Sequence, residues 1–117
     1  MKFTGFGVLI RVGDLAQCRA FYRDLLHLGE PVMDSGFATE FRLDGGMTLR
    51  LEQNTLPALE HASAAVSWTL DCDEPEKLFD ELANAGYDVT PVAEPHDSGA
   101  YFRGLDPEGN PFYVVRG

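Results

Sequence analysis

Arg103-Gly104-Leu105-Asp106-Pro107-Glu108-Gly109-Asn110-Pro111-Phe112-Tyr113-Val114-Val115-Arg116 is the stretch that decides the architecture. Its centre, Asp106-Pro107-Glu108-Gly109-Asn110, is a dense turn signal. Proline fixes φ early in the turn, and Gly109 or Asn110 can adopt the left-handed conformation that reverses the chain. Apolar runs flank it on both sides, so it reads as a hairpin between the last two strands. The same pattern occurs earlier. Ser35-Gly36 leads through Phe41-Arg42-Leu43 to the turn Asp44-Gly45-Gly46 and a strand ending Leu49-Arg50-Leu51-Glu52. Ser98-Gly99 leads through Phe102-Arg103-Gly104-Leu105 to the turn at Asp106 and a strand ending Tyr113-Val114-Val115.

Working outward, each copy of this hairpin is preceded by a strand and a helix. Residues 6–12 alternate with Phe6, Val8, Ile10 and Val12 on one face and Gly7, Leu9 and Arg11 on the other. Asp14 is a good N-cap with Gln17 three residues on, and Leu15, Cys18, Phe21, Tyr22, Leu25 and Leu26 recur at helical spacing. That predicts a helix over 15–27, closed by Gly29. A short strand near 31–33, a strand over 37–43 and a strand over 47–53 complete the first copy. In the last of these Met47, Leu49 and Leu51 face one way, and Thr48, Arg50 and Glu52 the other.

The second copy opens with a strand over 64–72, where Val66, Trp68, Leu70 and Cys72 alternate with Ala65, Ser67, Thr69 and Asp71. Asp73 is the expected cap of a helix with Pro75 in its first turn, an apolar stripe of Leu78, Phe79, Leu82 and Ala85, and Gly86 at its end. Strands over 87–92, 100–105 and 111–116 follow. The chain therefore reads as one α+β domain of two βαβββ modules, 1–53 and 64–117, joined by a connection over 54–63. A lone module leaves one sheet face uncovered, and pairing two lets those faces enclose a shared interior. The uncovered faces carry Arg11, Thr48, Arg50, Glu52, Ser67, Thr69, Asp71 and Tyr113. They are too polar for ordinary core and suit a cupped mixed sheet around a ligand.

Composition narrows the partners. The 117 residues carry a net charge of −10, divided as six basic and seven acidic side chains over residues 1–58 and three and twelve over 59–117. Such acidity argues against a nucleic-acid partner, because phosphate binding needs a basic face. The acidity is compatible with a cationic ligand, and equally with a solvated helix bearing Asp73, Glu74, Glu76, Asp80 and Glu81. There is no apolar run long enough to span a membrane and no signal-peptide pattern, so a cytoplasmic protein is expected. Cys18 and Cys72 fit small buried hydrophobes in a reducing compartment.

Val12-Gly13-Asp14-Leu15, Phe21-Tyr22-Arg23-Asp24-Leu25-Leu26 and Asp106-Pro107-Glu108-Gly109-Asn110-Pro111, in this order and within a duplicated chain, resemble the signatures of the vicinal oxygen chelate superfamily. That family includes glyoxalase I, extradiol dioxygenases and the bleomycin and fosfomycin resistance proteins. The resemblance implies a cupped sheet built from two βαβββ modules, commonly in a homodimer, with the site inside the cup. It also implies metal ligands on the first and last strands of each module, typically histidine and then glutamate. The matching positions here are Gly7, Glu52, about Ser67, and Tyr113, and only Glu52 is a ligand of the usual kind.

The leading expectation is a small-molecule-binding protein of the bleomycin-resistance type, with no metal and no cofactor. The alternative is a metal-dependent lyase, isomerase or dioxygenase of the glyoxalase kind with Glu52 as base. Candidate ligand-binding residues are Arg11, Arg50, Glu52, Ser67, Tyr101, Arg103 and Tyr113. Arg50 and Glu52 either bind charged ligand groups or satisfy each other as a salt bridge. Tyr113 either bonds to a ligand or fills the place of the missing metal ligand. His27, His61 and His96 stand at no ligand position of the family.

Overall fold

Two hairpins with glycine in their turns set the frame. The computed structural model describes residue 2 and residues 4–54, 68–92 and 100–117. In the first module, strands β1 (Phe6–Val12), β2 (Met33–Asp34), β3 (Ala38–Leu43) and β4 (Met47–Gln53) form one sheet in the order β1-β4-β3-β2. In the second, β5 (Trp68–Cys72), β6 (Val89–Pro91), β7 (Ala100–Leu105) and β8 (Pro111–Arg116) form another in the order β5-β8-β7-β6. The first strand of each module runs parallel to its last, and the last pairs antiparallel with the strand before it. The repetition read in the sequence is thus a repetition of α+β topology. The chain divides into two compact units, Met1–Ala58 and Leu59–Gly117.

The Asp44-Gly45-Gly46 turn closes the β3–β4 hairpin with Leu43 opposite Met47, and both glycines have φ near +80°, at 82° and 77°. L-residues other than glycine enter that region only at a cost. The turn between Leu105 and Pro111 is five residues long and organised by Asp106. Its Oδ1 accepts hydrogen bonds from the backbone N–H groups of Glu108 at 2.9 Å and Asn110 at 2.8 Å. The Asn110 amide also donates to both carboxylate oxygens. Asp106 is 4% exposed, and Gly109, at φ 83°, takes the left-handed position.

Helix α1 (Leu15–Ala20) starts as expected: Asp14 accepts a hydrogen bond from the Gln17 backbone N–H at 3.0 Å. Asp14→Ala should cost about 1 kcal/mol in urea unfolding. Gln53, the last residue of β4, fastens the strand–helix corner. Its amide donates to the carbonyls of Val12 and Gly13, and its carbonyl accepts from the Leu15 N–H at 3.1 Å. The helical periodicity predicted one α-helix to residue 27. Instead α1 ends at Ala20 and continues as a π-turn over Phe21–Leu25, with the Leu26 N–H bonded to the Phe21 carbonyl. The wider turn places Phe21, Tyr22 and Leu26 in the core together. Gly29 has the positive φ expected of it, but His27, at φ 58°, reverses the chain first. Arg19 ties this segment to β2, with Nε 2.8 Å from Asp34 and an Nη donating to the Ser35 carbonyl.

Helix α2 (Pro75–Asn84) corrects a second expectation. Its N-cap is Glu74, not Asp73, and no side-chain bond closes it. Proline belongs at the first helical position, so Pro75 assigns the cap to the residue immediately before it. Leu78 and Leu82 are buried and Phe79 half-buried, whereas Ala85 is exposed. Strand β6 occupies only the middle of the predicted 87–92, and the part of the predicted 64–72 strand before Trp68 lies outside the described residues.

In each module one sheet face packs under the helix. In the first these residues are Ile10, Val12, Thr39, Phe41, Leu49 and Leu51. In the second, Phe102, Phe112 and Val114 are 0% exposed, and Phe79, Phe102 and Phe112 stack edge to face. Gly104 lies opposite Phe112, whose ring covers it. Among the described residues no helix is long and apolar enough to cross a membrane.

Candidate functional site

The face of the first sheet turned away from α1 is laid out by strand register. Residues opposite one another in a ladder share a face, and successive residues alternate. Three rows result: Gly7, Thr48 and Arg42; Leu9, Arg50 and Glu40; Arg11, Glu52 and Ala38. The structure therefore brings Arg11, Arg50 and Glu52 together, and it adds Glu40 and Arg42, which the sequence reading did not single out. Pairing positions symmetrically about the Asp44-Gly45-Gly46 turn was the signal that could have found them.

Arg50 is the hub. Its Nε donates to Glu52 Oε2 at 2.8 Å, and Nη1 stands 3.7 Å from Glu40 Oε1. The hydrogen bond to Glu52 raises the Arg50 pKa above the usual guanidinium value, and Glu40 adds to it. All three side chains keep a quarter to a third of their surface in solvent, so the network sets geometry more than stability. A Glu52 carboxylate already accepting from a guanidinium is a poor general base. Arg11 is exposed opposite Glu52 and makes no ion pair among the described residues.

The open face of the second sheet places Arg103 opposite Tyr113, and Thr69 on the other side of Tyr113. Tyr113 is half-buried and Arg103 exposed. Tyr101 does not join them. Two residues apart in one strand, Tyr101 and Arg103 would share a face under regular alternation, but the ladder slips between Ala100 and Phe102 and the bulge breaks that alternation. Its ring instead lies against the Arg116 guanidinium, 5.7 Å from centroid to carbon, and Arg116 also bonds Glu76 of α2. Ser67, His61 and His96 lie outside the described residues.

Three of the four family metal positions, Gly7, Glu52 and Tyr113, lie among the described residues. Gly7 has no side chain to offer a metal, and a Cβ there would stand 2.6 Å from Thr48 Oγ1, so a larger residue would require that hydroxyl to turn away. Glu52 is engaged by Arg50, and Tyr113 supplies a phenol where a carboxylate would be needed. Among the described residues no three His, Cys, Asp or Glu side chains converge on a common point. Among the described family positions, Glu52 alone is a carboxylate, and one carboxylate does not make a divalent-metal site.

Comparison with known proteins bears on the fold and family. A family model described as the Glyoxalase/Bleomycin resistance protein/Dioxygenase superfamily matches residues 7–114. The bleomycin-binding protein of bleomycin-producing Streptomyces verticillus, complexed with copper(II)-bleomycin, superposes with a TM-score of 0.70 at 22% identity, covering 100% of this chain and 98% of that one. Lactoylglutathione lyase from Agrobacterium tumefaciens gives 0.66 at 22% identity over 96% and 92% of the two chains. A putative glyoxalase from Bacillus halodurans gives 0.73 at 18% identity over 95% and 93%. At these identities the likeness is one of fold. No curated protein matches the sequence.

Proposed function

This chain belongs to the Glyoxalase/Bleomycin resistance protein/Dioxygenase superfamily, and we propose that within it the protein binds a small organic molecule on its open sheet faces without a metal ion. The observation that carries this reading is the Thr48 hydroxyl, 2.6 Å from the place of a Gly7 Cβ. The position from which a first metal ligand would reach is a glycine with a threonine hydroxyl beside it. The Arg50–Glu52 pair supports the same reading, because a guanidinium sits on the one family carboxylate that remains. What these groups can do is donate and accept hydrogen bonds in fixed directions, with Tyr113 adding an aromatic surface and a phenol. Binding and sequestration follow from such groups more directly than proton abstraction does. The structural likeness to a bleomycin-binding protein is in keeping with this, by analogy of fold. The protein proposed is cytoplasmic and homodimeric, and a solution mass measurement checks the second point.

The test is binding combined with metal analysis. Metal-free bleomycin and a glutathione conjugate would be screened by thermal shift on protein dialysed against chelator. A molecule that raises the melting temperature should bind about tenfold more weakly to Arg50→Ala if it lies on the open face of the first sheet, or to Tyr113→Ala if it lies on that of the second, and both variants should keep the native circular dichroism spectrum. A stoichiometric divalent metal that survives dialysis, and is lost in Glu52→Ala, would overturn the reading in favour of the glyoxalase-type alternative.

A further inference from the structure

The open face of the first sheet carries Arg11, Arg42 and Arg50 against Glu40 and Glu52. That is an excess of one positive charge in a chain whose net charge is −10. Both carboxylates turn to Arg50. Arg42 is exposed and forms no ion pair with any described residue, although Glu40 and Asp44 each stand two positions from it in sequence. Register sets Arg42 opposite Thr48, with Arg50 two residues further along the same strand. Diagonal neighbours of this kind have Cα atoms about 7–8 Å apart, well within reach of two long side chains. Arg50 already has both carboxylates, so Arg42 is the guanidinium left for an added anion to meet, with the remaining edge of Arg50 beside it. The Thr48 hydroxyl is turned to the same face, because its oxygen stands against the Gly7 position, and it adds a neutral donor beside the two cations.

We infer that Arg42, Arg50 and Thr48 form a subsite for an anionic group, a phosphate, phosphonate or carboxylate, of the bound molecule. The inference rests on the reading of this face as the ligand face. Glu52 and Glu40 then serve as positioning residues. Glu52 holds Nε, Glu40 lies beside Nη1, and Nη2 makes no hydrogen bond among the described residues. A planar fork fixed in this way presents its free edge without further loss of side-chain freedom. The acidity of the chain does not argue against this sign. Twelve of its nineteen carboxylates lie in residues 59–117, and Asp73, Glu74, Glu76 and Asp80 are exposed on and before α2.

Phenyl phosphate, benzoate and phenyltrimethylammonium, titrated at constant ionic strength, test the proposal by thermal shift and by the arginine Nε–Hε resonances. Phenyl phosphate or benzoate should stabilise the protein and move the Arg50 resonance, and which of the two binds more tightly separates phosphate from carboxylate chemistry. Arg42→Gln should weaken that binding about tenfold, while Arg23→Gln, at a surface pair with Asp24 on the helix, should leave it unchanged. Anion binding that is equal in Arg42→Gln and the parent protein overturns the subsite. Stabilisation by phenyltrimethylammonium alone, lost in Glu40→Gln, overturns the sign while leaving this face as the ligand face. If none of the three moves an open-face resonance, the subsite is overturned, and the ligand-face reading is judged by the Arg50→Ala and Tyr113→Ala measurements.

Discussion

Asp106→Ala is expected to destabilise the protein by about 3 kcal/mol, because it removes the acceptor for two backbone N–H groups and a side-chain amide in one step. Hydrogen bonds to a charged acceptor contribute more than neutral ones, and the donors left behind lie at a turn that is only partly open to water. Gly109 would still permit the reversal, and the backbone bonds from Asp106 N–H to the Asn110 carbonyl and from Gly109 N–H to the Asp106 carbonyl would remain, but the backbone N–H groups of Glu108 and Asn110 would lose their carboxylate acceptor. Urea unfolding should show the loss as a lower midpoint, and a melting scan as a fall of about 10 °C. Asp106→Asn retains one acceptor oxygen and should recover more than half of the difference. An alanine variant within about 0.5 kcal/mol of the parent protein would mean that the turn is set by Pro107 and Gly109 alone.

Gly104→Ala is the second large effect. A Cβ there would lie 2.5 Å from Phe112 Cζ and 2.9 Å from Cε2, with Phe112 itself fully buried between strands and helix. At that distance the ring must shift or leave its rotamer, or the strand pair must separate locally. Overpacking of this kind costs about 1–3 kcal/mol, and the direct ring contact puts this case at the upper end. A double-mutant cycle identifies the cause. Phe112→Leu alone should also destabilise the protein, but in its presence the cost of Gly104→Ala should fall below about 1 kcal/mol. If the two costs simply add, the glycine is needed for its backbone and not for the ring above it.

Much of the fold was legible because glycine, proline and Asx residues punctuate it. The bounds of β1, β4, β7 and β8 follow from alternation running up to Val12, Asp44-Gly45-Gly46 and Asp106-Pro107. The limit of α1 was not legible. Phe21, Tyr22, Leu25 and Leu26 satisfy a helical period, and the π-turn is imposed by what they pack against rather than by their own preferences. The cap of α2 was available in principle, since Pro75 points to Glu74, but two adjacent acidic residues made the better capping type look like the right position.

The site divides along the same line. Arg50 and Glu52 could be placed on one face because they are two apart in one strand. Glu40 and Arg42 needed the register of the neighbouring strand, and Tyr101 needed the bulge that turns it to Arg116. Whole-chain charge was the least informative guide. It averages over an acidic helix in the second module and an arginine-bearing sheet face in the first.

The strand order has a consequence for how the protein comes into being on the ribosome. In each module the last strand to be synthesised is an interior one, flanked on one side by the module's first strand and on the other by the strand just before it. Until β4 emerges, β1 has no neighbour in its sheet. Until residues 111–116 are made, β5 is equally without one, and Phe112 and Val114 are absent from the core they complete. A nascent chain should therefore acquire protease resistance in two late steps rather than gradually. A premature stop that removes only β8 should release the second module as unfolded chain while sparing the hydrogen-exchange protection of the first.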